Sequence, residues 1–125
     1  STTFAQNKAE KMFSAVVTDT NGVEIEVKNV LFYWEERVSE TAFVPHELRQ
    51  VPVKKGAATV NVKFDTIKQI DVKPSGDKSP PTVTIALNNG RTGEFILAIA
   101  GSFKGESDFG EVEFPAQGLK KVIFK

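Results

Sequence analysis

The chain has no cysteine among its 125 residues, so disulfides, thiolate metal sites and cysteine nucleophiles are excluded together. Histidine is almost as scarce. The single one, His46, cannot build a histidine-rich metal site, and His46-Glu47 lacks the second histidine of the helical zinc motif, so it reads as a surface-loop residue. There is no Gly-x-Ser-x-Gly elbow and no glycine-rich phosphate loop, which leaves serine hydrolase and nucleotide chemistry without support. Net charge is missing too. Sixteen basic residues cancel sixteen acidic ones, so no overall field draws the chain to phosphate backbones or anionic lipid, and nucleic acid is not an expected partner. No apolar run approaches the roughly 20 residues a membrane-spanning helix needs. The first residue is Ser1 rather than Met, which suits an exported bacterial protein, periplasmic or extracellular, left after processing. Neither enzymatic activity nor a cofactor is expected.

What is present favours pleated sheet. Val, Ile, Thr and ten Phe dominate the apolar content, and these residues pack well on strand surfaces. After an opening segment 1–12 that reads as an arm or short helix, the apolar period becomes two. Phe13, Ala15 and Val17 alternate, Asn21-Gly22 intervenes, and Val23, Ile25 and Val27 resume; the same pattern surrounds Asn89-Gly90, with Ile85 and Leu87 before it and Phe95 after. Asn-Gly between alternating runs predicts a hairpin on a type I′ turn, with positive φ at both residues. The second strand runs on through Val30 to Trp34, which predicts burial on both faces or a bulge, placed at Asn29. Segment 35–58 is irregular and carries three of the turn-forming residues, Pro45, Pro52 and Gly56; it is expected to hold an edge strand pair or a short helical turn. Segment 101–110 reads as a loop. Lys73 to Pro81, with three prolines and a glycine, reads as a turn or linker.

Self-similarity organises these pieces. Asn21-Gly22 superposes on Asn89-Gly90 at a shift of 68, and Ile67-Lys68-Gln69-Ile70 on Leu119-Lys120-Lys121-Val122 at a shift of 52. The expected units are therefore 13–73, with sixteen extra residues inside 35–58, and 82–125, joined by 74–81. Each reads as a hairpin, a strand, a 3-10 turn and a closing strand. The segments VKFDTIKQIDV, VEFPAQGLKKVIF and VTIALNNGRTGEF resemble the strands of small SH3-like or Sm-like barrels. That resemblance implies an all-β fold of two related small barrels, or one merged barrel or sandwich. It also implies a tendency to bind peptides, nucleic acid or a sister subunit, although the acidic and aromatic peptide-binding set of true SH3 domains is not evident.

The functional expectation is a noncatalytic interaction or assembly module that engages a protein partner or its own copies. Its candidate residues are Phe43, Val44 and Leu48, on a projecting lobe formed by the insertion, together with Phe32 and Trp34. The second candidate function is binding of carbohydrate or an oligonucleotide on Phe32, Tyr33 and Trp34 as a stacking platform. A third, a hydrolase with an unfamiliar carboxylate site, ranks lowest, since adjacent Glu35 and Glu36 point to opposite faces of a strand. No metal site is expected; a weak calcium candidate is Glu106, Asp108 and Glu111, which surround a glycine-bearing loop but lack the twelve-residue calcium pattern.

Overall fold

The computed structural model describes residues 11–77 and 79–125, so the expected arm lies outside it except for Lys11 and Met12. The fold is all-β: one open antiparallel sheet of eleven strands, interrupted by two 3-10 turns. In chain order the strands are β1 (Ala15–Asp19), β2 (Glu24–Arg37), β3 (Phe43–Leu48), β4 (Gln50–Lys55), β5 (Ala58–Lys63), β6 (Ile67–Lys73), β7 (Thr82–Leu87), β8 (Thr92–Leu97), β9 (Ser102–Ser107), β10 (Gly110–Pro115) and β11 (Leu119–Phe124). The 3-10 turns, Phe64–Thr66 and Ala116–Gly118, precede β6 and β11 where the apolar spacing widens from two to three.

The hydrogen-bonded order is β10-β9-β2-β1-β11-β6-β7-β8-β4-β5, with β3 attached to β2. Exchanging β1 with β7, β2 with β8, β4 with β9, β5 with β10 and β6 with β11 returns this order reversed. The registers follow: Val17 faces Ile25 and Val122, as Ile85 faces Gly93 and Ile70, and Lys28 faces Glu106 as Ile96 faces Lys54. At the centre Val122 faces Ile70. The strands pair across the expected unit boundary, because β1–β2 joins β9 and β11 while β7–β8 joins β4 and β6. Segment 74–81 is the loop of the β6–β7 hairpin, in which the Asp77 carboxylate accepts the Ser79 N–H at 2.8 Å.

Both Asn-Gly sites are tight hairpin turns, but of another type than expected. Gly22 N–H donates to Asp19 O and Asp19 N–H to Val23 O, both at 3.0 Å; Gly90 and Leu87 make the equivalent bonds. Positive φ occurs at Gly22 (81°) and Gly90 (91°) and not at Asn21 or Asn89. This is the three-residue loop in which a left-handed glycine forms a bulge. The Asp19 side chain fixes it by accepting from Asn21 and Val23 N–H at 2.9 Å.

Asn29, at φ 53°, marks the bulge in β2, where the register against β9 slips between Lys28 and Leu31. Beyond it Val30, Leu31 and Phe32 are all buried, the last fully. The core is continuous across both halves of the sheet, with Phe64 near its middle: its ring packs on Phe13, Phe103 and Phe124 at centroid distances of 5.7, 6.4 and 4.9 Å. Segment 101–110 is not a loop; it holds β9 and its turn. The alternation was hidden because the inward position between Phe103 and Ser107 is Gly105, against which β2 packs so closely that a Cβ would lie 2.5 Å from Lys28 O.

Candidate functional site

Of segment 35–58, expected to project as one lobe, the end of β2 and β3 form an exposed hairpin, whereas β4 lies inside the sheet between β8 and β5 with Val51 and Val53 fully buried. The end of this hairpin mixes polar Ser39, Glu40 and Thr41 with apolar side chains: Phe43 is 52% exposed, Val38 and Val44 are exposed beside it, and the Arg37 guanidinium lies 5.6 Å from the Phe43 ring centroid. Leu48 behaves differently and packs half-buried against the core. Phe32 is fully buried, so it cannot serve as a stacking platform; the strand turns it inward opposite Phe103, 5.4 Å away. Trp34 is half-buried and one of its faces is occupied by His46, which stands opposite it on β3 at 4.5 Å, nearly parallel. His46 is therefore a strand residue and not a loop residue, and its Nε2 lies 2.9 Å from Glu36 Oε1.

On the other face of β2 the Tyr33 hydroxyl donates to Glu35 Oε2 at 2.6 Å. That bond to a carboxylate, with loss of solvation and the negative charge of Glu35, pushes the phenol pKa up to about 12. The Lys104 ammonium sits 4.1 Å from the Tyr33 ring centroid and 3.6 Å from Glu47. Tyr33 and Trp34 thus each have one face already covered.

The calcium candidates lie on the β9–β10 hairpin. Glu106 and Glu111 face each other across the strands and Asp108 stands in the turn, all exposed. No three carboxylate or imidazole groups converge as a cation site among the described residues, because the turn presents its carboxylates outward.

One concavity was not singled out in the sequence. A cleft of about 730 Å3 opens between β5 and the β7–β8 hairpin, lined on one side by Val60 and Val62 and on the other by Ile85, Leu87 and Phe95. The Phe95 ring lies over Gly93, where a Cβ would come within 2.8 Å of it. In the other half of the sheet the positions of Gly93 and Val62 are taken by the larger Ile25 and Phe114, and that of Phe95 by the smaller Val27. Its rim carries Lys63, Arg91 and Asp65. Lys55 stands nearby, its Nζ 5.8 Å from the Phe95 ring and donating to Glu94 O at 3.0 Å. β5, which forms one wall, is an end of the strand path. The alternation of Val60 and Val62 was legible as one face of a strand, but nothing in it distinguished a cleft wall from a closed core.

Phe109 was also missed. It is 102% exposed at the tip of the β9–β10 hairpin, and the available signal was a large aromatic in a polar turn too short to bury it. The turn is fixed by the Phe109 N–H donating to Ser107 Oγ at 3.2 Å and the Ser107 hydroxyl donating to Gly110 O at 2.8 Å.

No curated protein and no solved structure matches the chain. A family model described as "Uncharacterised protein" matches residues 9–125, a span that takes in every strand of the sheet, and the chain belongs to that family.

Proposed function

We propose that the protein is a noncatalytic interaction module whose working surface is the cleft beside β5, taking an apolar side chain from a protein partner. The observation that carries this reading is the pairing of an apolar-lined cleft with a sheet edge and a predominantly basic rim. Val60 is exposed there on β5, beside which no further strand pairs among the described residues. The palindromic strand order, with its 68- and 52-residue shifts, supports a further element of the reading. The chain is a duplicated SH3-like unit in which the two copies have exchanged hairpins, and one copy keeps an open cleft where the other is filled.

Carbohydrate or oligonucleotide binding on the aromatic run is less well supported, since Phe32 is buried and His46 and Lys104 already cover one face each of Trp34 and Tyr33. Selection of peptides from a random display library on the full chain tests the proposal. Peptides with an aromatic or large aliphatic residue beside acidic ones should be recovered, and Val60→Asp should abolish their binding. Failure to recover any peptide that prefers wild type over Val60→Asp would overturn it. In the same samples, quenching of Trp34 fluorescence by a glycan or oligonucleotide would transfer the site to β2.

A further inference from the structure

We propose that the cleft's partner is a second copy of this chain, which inserts Phe109 into it, so that copies join head to tail. The proposal rests on the reading of the cleft above and names its occupant. Two observations select that occupant. The first is charge. The β4–β5 hairpin, residues 50–63, carries three lysines and no carboxylate, whereas the β9–β10 hairpin, residues 102–115, carries four carboxylates and one lysine. These hairpins are equivalent in backbone register, with Lys54 at the position of Glu106, and they form the two ends of the strand path. A chain with no net charge is thus positive at one end of its sheet and negative at the other. Complementary ends of this kind orient an encounter and fix its register.

The second observation is shape. One end presents a fully exposed phenyl ring on a turn already held by the two Ser107 hydrogen bonds, so little ordering is lost on docking. The other end presents an apolar cleft walled by Val60, Val62, Leu87 and Phe95. Asp108 and Glu111 flank the ring. Lys63, Arg91 and Asp65 line the cleft, and Lys55 and Glu94 stand beside it. Exposed aromatic rings in desolvated pockets surrounded by charged rims are the usual anchors of protein contacts. Because knob and cleft lie on different surfaces of the same chain, the contact is heterologous, and repetition builds an open row unless a rotation closes it.

Sedimentation of the full chain tests this. At low salt the weight-average mass of wild type should rise past that of a dimer over about 10 µM to 1 mM, the range of a small contact, and should fall when salt is added. Phe109→Ser, which touches nothing inside the fold, should weaken association by at least about 30-fold. Val60→Asp should do the same, and Lys63→Glu with Arg91→Glu gives a cleft-side variant that keeps the apolar lining should Val60→Asp unfold. The decisive sample is an equimolar mixture of Phe109→Ser with a folded cleft variant. One supplies a cleft and the other a knob, so they should form a one-to-one dimer and stop there. A mixture that stays monomeric, or a Phe109→Ser chain that associates like wild type, overturns the proposal. A monomeric wild type also overturns it; if display peptides still bind the cleft, the proposed function survives with another partner, and if they do not, both fail.

Discussion

Gly105→Ala adds one methyl group at the point where β9 crosses the bulge of β2. The added Cβ would stand 2.5 Å from Lys28 O, 2.6 Å from Val27 Cγ1 and 3.1 Å from Asn29 O. Ordinary contacts to carbon and oxygen lie at about 3.3–4.0 Å, so β9 and β2 must separate by about 1 Å. Two of the three atoms belong to backbone that the bulge fixes, and the separation would also loosen Phe103 from Phe32. Over-packing of this kind costs about 1–3 kcal/mol, offset by about 0.4–1 kcal/mol because alanine restricts the unfolded chain. The net loss should be about 1–2 kcal/mol, read in urea as a midpoint lowered by roughly 0.5–1 M at unchanged slope. Gly118→Ala is the control. Nothing stands within 4 Å of its Cβ and its φ is not positive, so only the unfolded-chain gain operates and the midpoint should hold or rise. A Gly105→Ala midpoint at or above wild type, or an equal loss at Gly118, would refute the reasoning.

The bulge itself gives a second expectation: Asn29→Gly should leave stability nearly unchanged, while Asn29→Val should lose about 1–3 kcal/mol in urea melts, since a β-branched residue resists a φ of 53°. Phe64→Ala should cost about 3–5 kcal/mol by the same measurement, because Phe64 is buried and touches aromatic rings from β9, β11 and the segment before β1. Tyr33 is the only tyrosine, so tyrosinate absorbance reports it alone; the midpoint should lie near 12 in wild type and fall towards 10 in Glu35→Gln. The sign follows from the raised pKa: the contribution to stability is complete below pH 10 and is lost as pH rises through 12.

The hairpins, the bulge and both 3-10 turns were legible because each is written locally: a glycine that can take positive φ, an asparagine at a break in alternation, a widening of apolar spacing ahead of β6 and β11. β9 was not, because its inward position is a glycine whose close packing on β2 is visible only when the two strands meet. The pairing of β1–β2 with β9 and β11 was equally hidden, since each half carries a self-consistent pattern and the registers do not record which copy supplies the partner. Of the candidate site, Phe43 and Val44 were placed on a projecting hairpin. Phe32 was misjudged because alternation alone does not tell which side of a strand is covered. The cleft was missed because its walls come from β5 and the β7–β8 hairpin, and alternation within one strand does not show how closely two such elements approach.

The interleaved strand order has a consequence for the order in which the protein is made. Strands β1 and β2 leave the ribosome first, yet their partners β9 and β11 come last, while β4 to β8 find all their neighbours within residues 50–97 except β11. The β1–β3 meander and the β4–β8 group can therefore each pair locally, while Phe32 waits for its β9 neighbour Phe103. The residue before β1 lies beside the end of β11 in the finished sheet, where Lys125 N–H donates to Ser14 O. Joining residue 125 to residue 11 through a linker and reopening the chain between β8 and β9 would put β9, β10, β11, β1, β2 and β3 in one continuous run ahead of β4 to β8. Such a circular permutant would keep every strand pairing, while its first half no longer waits for its second and refolds faster than the natural order allows.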